Sequence, residues 1–145
     1  MKTRFLLVFL LTAILVAMTV SAIDFTVSTP EAFMQGKASV TFKVTNANVA
    51  NPVTVVFSSL KITGEKAYEK TFTITGNTII APASTETFTI TPTDSIDYSN
   101  FNLGKTYTTT LTVSEQGNLT NKKDVTLSLK KSYCANSVQG SGLLG

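Results

Sequence analysis

From residue 23 to residue 129, apolar and polar side chains alternate with a period of two. In SVTFKVTNANVANPVTVVFSS, residues 39–59, Val40, Phe42 and Val44 alternate with Thr41, Lys43 and Thr45. Val53, Val55 and Phe57 then alternate with Thr54, Val56 and Ser58. A strand points successive side chains to opposite faces, so each run reads as a strand with one buried face. The two runs predict a strand pair joined by the Asn-rich turn NANVAN. Upstream, IDFTVS predicts a strand with Ile23, Phe25 and Val27 on one face, ended by Pro30, which has no amide for a ladder. PEAFMQGKA reads as a loop. Downstream, SLKI and YEKTFTIT flank a turn at Gly64, with Phe72 and Ile74 inward, and GNTII turns at Gly76 and Asn77. TETFTITPT supplies Phe88 and Ile90, KTYTTTLTVS supplies Tyr107, Thr109, Leu111 and Val113, and DVTLSLK supplies Val125, Leu127 and Leu129. Between them, DSIDYSNFNLG reads as a long connection and EQGNLTNKK as a hairpin loop.

No segment after residue 22 carries a helical period. Seven to nine short strands, evenly punctuated, predict an all-β sandwich or barrel. One apolar face per strand fits two antiparallel sheets packed face to face. The outward positions are filled by an unusual number of threonines, 25 in the 145-residue chain. Threonine is β-branched and suits the pleated backbone, and its hydroxyl keeps an outer face wet without charge. After Leu129 the alternation stops. Residues 131–145 are rich in Ser and Gly and read as a flexible tail or a linker, leaving residues 23–130 as one domain.

The N-terminus sets the compartment. MKTR is basic, FLLVFLLTAILVAMTV is apolar but for two threonines, and VSA ends the run in small residues. That order predicts a secretory signal helix over residues 1–22, cut after Ala22. The apolar run is also close to the ~20 residues that span a bilayer, so a retained anchor stays open, and it is the one membrane contact the chain offers. Cleavage removes Lys2 and Arg4, leaving ten basic against nine acidic side chains, a net charge of +1. Arg4 is the only arginine, so the domain has no bidentate reader of phosphate or guanine, and nucleic acid is excluded as a partner. Cys134 is the only cysteine; in a secreted chain it is either a free thiol in the tail or half of an intermolecular disulfide.

Candidate chemistry is sparse. The chain has no histidine, and no Ser or Cys sits in a nucleophile motif with a base, so an enzyme is not expected. No pattern calls for a cofactor. Asp94, Asp97 and Asn100 offer oxygen ligands in one loop, but two carboxylates are few for calcium, and Asp and Asn are also ordinary turn residues. Asn118, in Asn118-Leu119-Thr120, is a sequon in a loop and a candidate glycan acceptor. Tyr98 and Phe101 share a loop and are a candidate aromatic platform for a carbohydrate; the alternative is that they plug an open end of the sandwich. The low charge leaves strand edges poorly protected, so IDFTVS, if free, could be donated to the sheet of a neighbouring copy.

Three segments carry a family resemblance. VTFKVTNANVANPVTVVFS resembles the B strand, turn and C strand of immunoglobulin-like domains in archaeal and bacterial surface proteins, the CARDB-like and NPCBM-associated types. IIAPASTETFTI resembles the segment that follows, and NLGKTYTTTLTV resembles the entry to their strand F, where Tyr107 can act as a corner residue. NANVAN departs from the pattern in having no glycine. The resemblance implies an immunoglobulin-like sandwich and a non-enzymatic role in adhesion, partner binding or spacing at the cell surface. Its partners would be other surface proteins, cell-wall polysaccharide or further copies of the same chain.

Overall fold

The structure, a computed structural model, describes residues 25–132. Ten strands follow in chain order: β1 (Phe25–Val27), β2 (Phe33–Met34), β3 (Val40–Asn46), β4 (Val53–Phe57), β5 (Leu60–Thr63), β6 (Glu69–Thr75), β7 (Ile79–Ile80), β8 (Thr85–Pro92), β9 (Thr106–Glu115) and β10 (Asn118–Lys130). Among the described residues the only helical pieces are two single 3-10 turns, Glu65–Ala67 and Tyr98–Asn100. The segment expected to be a signal, with Ala22, the start of IDFTVS at Ile23, and Cys134 lie outside the described residues.

The strands form two five-stranded sheets, ordered β1-β3-β8-β6-β5 and β2-β10-β9-β4-β7. Every strand pairing is antiparallel except β2 with β10. Four strands in the order β1, β3, β8, β6 face the set β4, β9, β10, which is the immunoglobulin-like arrangement of a Greek-key sandwich. Alternation in the sequence becomes alternation in burial: along β3 the odd-one-out pattern runs buried at Val40, Phe42 and Val44 and exposed at Thr41 and Lys43. Phe42 lies opposite Phe88 in the register of β3 and β8, and their rings stack at 5.4 Å. Phe57, from the other sheet, meets Phe88 edge-on at 4.9 Å and so ties the two layers together.

Three expectations from the sequence are corrected. The runs around NANVAN do not pair with each other: β3 bonds to β1 and β8, β4 bonds to β9 and β7, and the turn crosses from one sheet to the other. The segment read as the loop PEAFMQGKA contains β2, whose Phe33 is fully buried against Phe72, with ring centroids 5.1 Å apart. Two residues are too few to display a period, so β2 had no signature, and β7 escaped as a separate strand for the same reason. EQGNLTNKK is mostly strand. The β9–β10 ladder reaches Glu115 opposite Asn118, and the extra residues are taken up in an irregularity between Asn118 and Lys122.

The register also fixes the two ends. Phe25 pairs with Asn46, beside the β3–β4 turn, and the β9–β10 turn lies at that same end, since Gln116 N donates to Thr54 O at 2.8 Å. At the opposite end Lys130 pairs with both Thr106 and Met34. The sandwich therefore receives its chain at one end and releases it at the other.

Candidate functional site

At the end where the chain leaves, the connection from β8 to β9 folds over the opening between the sheets. Asp97 caps the Tyr98–Asn100 turn by accepting from Ser99 N at 3.0 Å, and Asn100 Nδ2 donates to its other oxygen at 2.8 Å. Hydrogen bonds from Ser99 hold the Asp97 carboxyl below the usual aspartate range. Asp94 turns the other way and forms an ion pair with Lys70. Asp97 and Asn100 are thus occupied with the backbone and with each other and Asp94 with Lys70, and the described residues contain no group of three His, Cys, Asp or Glu side chains placed to hold a metal ion.

The aromatic platform is not offered to solvent. Phe101 is 1% exposed. It is enclosed by Tyr68 and Tyr107, both edge-on, at 5.7 and 4.9 Å, and by Tyr98 at 6.1 Å. Tyr98 is half-buried, donates from Oη to Met34 O at 3.1 Å, and has its phenol pKa raised by that burial. Phe101 is therefore a plug at this end of the core and Tyr98 its cover.

Tyr107 is a corner residue in geometry as well as in sequence. It opens β9, its hydroxyl accepts from Asn102 N at 2.8 Å, five residues back along the chain, and it donates to Glu65 Oε1 at 2.6 Å. This is the bond pattern by which a strand-F tyrosine pins the preceding crossover. Lys105 Nζ also reaches Glu65 Oε1, at 2.6 Å, and lies 4.9 Å above the Tyr107 ring. Bonds from Lys105 and Tyr107 hold the Glu65 carboxyl below its ordinary value.

At the other end NANVAN builds a turn without glycine. Asn46 is fully buried, and its Nδ2 donates to Asn51 O at 2.9 Å and to Ile80 O and Ala81 O at 3.2 Å each. Its Oδ1 accepts from Asn48 N at 2.9 Å, and Asn48 Oδ1 accepts from Ala50 N and Asn51 N at 2.8 and 2.9 Å. Side-chain amides thus do the work that a positive-φ glycine would do elsewhere. The same end carries the most exposed large apolar residues described: Val49 at 82%, Leu119 at 67% and Ile79 at 57%. Val49 comes from the β3–β4 turn, Leu119 from the start of β10 and Ile79 from β7. Asn118 is here too, half-buried, with Thr120 Oγ1 donating to its Oδ1 at 2.7 Å.

Asn46, Glu65 and Lys70 are the polar residues that the sequence reading passed over. Lys70 had a signal: it stands two positions before Phe72, in step with the inward set of β6. It is buried, and burial lowers its ammonium pKa. Asn46 had the same kind of signal, standing in step with Val40, Phe42 and Val44 on the inner face of β3; Glu65 had none, because its partners Lys105 and Tyr107 are 40 and 42 positions away.

No family model matches the chain, and no curated protein matches it. Among solved structures it is similar to the periplasmic chaperone SfaE, at 11% identity and a TM-score of 0.48 over 74% of this chain and 57% of that one. It is similar also to the YadV chaperone, at 14% identity and a TM-score of 0.49 over 75% of this chain and 52% of that one. The chain spans about half the length of these chaperones. Neither likeness bears on function.

Proposed function

We propose that the chain is a non-enzymatic immunoglobulin-like module that acts outside the cytosol, at the cell surface, and grips a protein partner with the loop end of its sandwich. One observation carries this reading. Val49, Leu119 and Ile79, the most exposed large apolar side chains described, come from the β3–β4 turn, the start of β10 and the short strand β7, and lie at one end, whereas the sheet faces are clad in threonine. A cluster of exposed apolar side chains in a polar setting is what a protein-binding patch requires. The basic, apolar and small-residue order of residues 1–22 supports export, and the three segments resembling CARDB-like and NPCBM-associated domains support a surface role. The opposite placement of the two ends suits a unit strung between neighbours.

Two rival readings lose their footing. Donation of IDFTVS needs a free strand, but its described part, Phe25–Val27, is paired to Asn46, Thr45 and Val44 of its own domain. A carbohydrate platform needs an exposed Phe101, and that ring is in the core.

The test is attachment of beads coated with the processed protein, residues 23–145, to cells that secrete it. The variant Val49→Ser/Ile79→Ser/Leu119→Ser should reduce attachment at least tenfold, while Met34→Ser/Leu103→Ser, at the far end, should leave it unchanged. Equal attachment by the two variants, or no attachment by the unaltered protein, would overturn the reading.

A further inference from the structure

The sequon Asn118-Leu119-Thr120 stands at the tip of the β9–β10 hairpin. Asn118 lies opposite Glu115 across the turn Gln116-Gly117. The regular ladder resumes only at Lys122, opposite Ser114, so Leu119 and Thr120 stand outside the paired register. Successive residues of a strand point to opposite sides. Asn118 and Thr120 therefore share one side and Leu119 takes the other, and the bond from Thr120 Oγ1 to Asn118 Oδ1 at 2.7 Å fixes that arrangement. This bond occupies the oxygen of the amide and leaves its nitrogen. Among the described residues nothing accepts from Asn118 Nδ2. No buried side-chain nitrogen or oxygen among them lacks a partner, so Nδ2 is at the surface. Space is open beside it: a methyl group at Gly117 would meet nothing within 4 Å beyond its chain neighbours, and Thr120 is exposed.

We propose that Asn118 carries an N-linked glycan, added at Nδ2 from a glycosyl phosphate donor. The proposal rests on the export in the reading above, since a sequon serves as an acceptor in secreted chains. The step is a substitution. A bond forms between Nδ2 and the anomeric carbon, and the bond from that carbon to the phosphate oxygen breaks. The phosphate leaves with the bonding electrons, and one Nδ2 proton is released to solvent. A transferase that reads both side chains of a sequon needs them on one side of an extended chain, with the nitrogen free; the hairpin tip meets both conditions. Attachment removes no hydrogen bond from the fold, because the glycosylated amide keeps its Oδ1 for Thr120 and no described group depends on Nδ2. At Asn46 or Asn121 it would, since the Nδ2 of Asn46 donates to Asn51 O, Ile80 O and Ala81 O, and that of Asn121 donates to Glu115 Oε2 at 3.0 Å. The sugar leaves on the side away from Leu119, which stays available. It also stands where β10 is out of register with β9, and its bulk keeps another strand from adding there.

The experiment uses the full chain, made by the cells that naturally produce it and collected from their medium and their surface. Intact mass and tryptic peptides are read by mass spectrometry. The peptide of residues 106–122 should exceed its sequence mass by a whole number of sugar residues, and fragmentation should place the addition on Asn118. Asn118→Gln and Thr120→Ala, produced in the same cells, should each lose the addition, while Thr120→Ser should keep it. That split separates an acceptor from a merely structural pair, because the hydroxyl is retained only in the variant that keeps the sugar. An exported protein whose residue 118 is unmodified would overturn the proposal and leave the export standing, as would an addition that survives Thr120→Ala. Protein found only in the cytosol would overturn the export itself, and this proposal with it.

Discussion

Replacing Asn46 isolates the device that closes the loop end. Its amide carries two protons shared among three carbonyls, and its oxygen takes the Asn48 N–H, so about three hydrogen bonds rest on one buried side chain. Each is worth about 1 kcal/mol net, and the groups left behind are buried and have little water to turn to. Asn46→Ala is therefore expected to cost about 3 kcal/mol. With a urea m-value of about 1.5 kcal/mol/M for a domain of this size, the unfolding midpoint should fall by about 2 M at unchanged slope. Asn46→Asp keeps the shape but aims a carboxylate at three carbonyl oxygens. At pH 7 it should be worse than alanine, because a buried charge then lacks any donor beyond Asn48 N. Acidification should restore part of the loss, since a protonated carboxyl can donate to one carbonyl. Two-state unfolding followed by circular dichroism at pH 7 and pH 4 measures both. A midpoint for Asn46→Ala within 0.5 M of the unaltered protein, or an Asn46→Asp protein as stable at pH 7 as Asn46→Ala, would refute the reasoning.

Four further outcomes rest on the same structure. Lys70 is buried while its partner Asp94 is 80% exposed, so much of the pair's attraction is screened and the burial cost is not recovered; Lys70→Met should be neutral or stabilising by up to about 2 kcal/mol in thermal or urea melts. Because burial lowers the Lys70 pKa, the unaltered protein should gain stability as pH rises through that lowered value toward 10.5, and Lys70→Met should lose the gain; a loss of stability over that range would contradict it. The Glu65 carboxyl should titrate by NMR below 4.5, with its contribution present above that pH and lost as pH falls through the lowered midpoint; Lys105→Ala and Tyr107→Phe should each move the midpoint up. A methyl group at Gly76 would sit 2.5 Å from Phe88 Cδ1, so Gly76→Ala should cost about 1–3 kcal/mol in urea unfolding, and a cost near zero would show that Phe88 has room to move.

The sequence by itself determined which side of each long strand is buried. Val40, Phe42, Val44, Phe88, Ile90, Leu111, Val113, Leu127 and Leu129 all occupy the inner face that their alternation assigns, because a half-buried strand admits one pattern and a slip of one residue would expose it. Tyr107 was also legible, since the Leu103-Gly104-Lys105-Thr106-Tyr107 entry places a phenol within reach of its own backbone. Tertiary structure alone decided which strands are neighbours. Nothing local says that β3 and β4 part to different sheets, that two residues at Phe33 lie along β10, or that Glu65 meets Tyr107 across 42 positions. It likewise turned Phe101 from a candidate ligand face into a plug: an aromatic in a loop has no period to reveal its direction, and the open end of the sandwich that it fills exists only once the two sheets have met. Alternation records how one strand divides oil from water, whereas pairing and closure are properties of many strands at once.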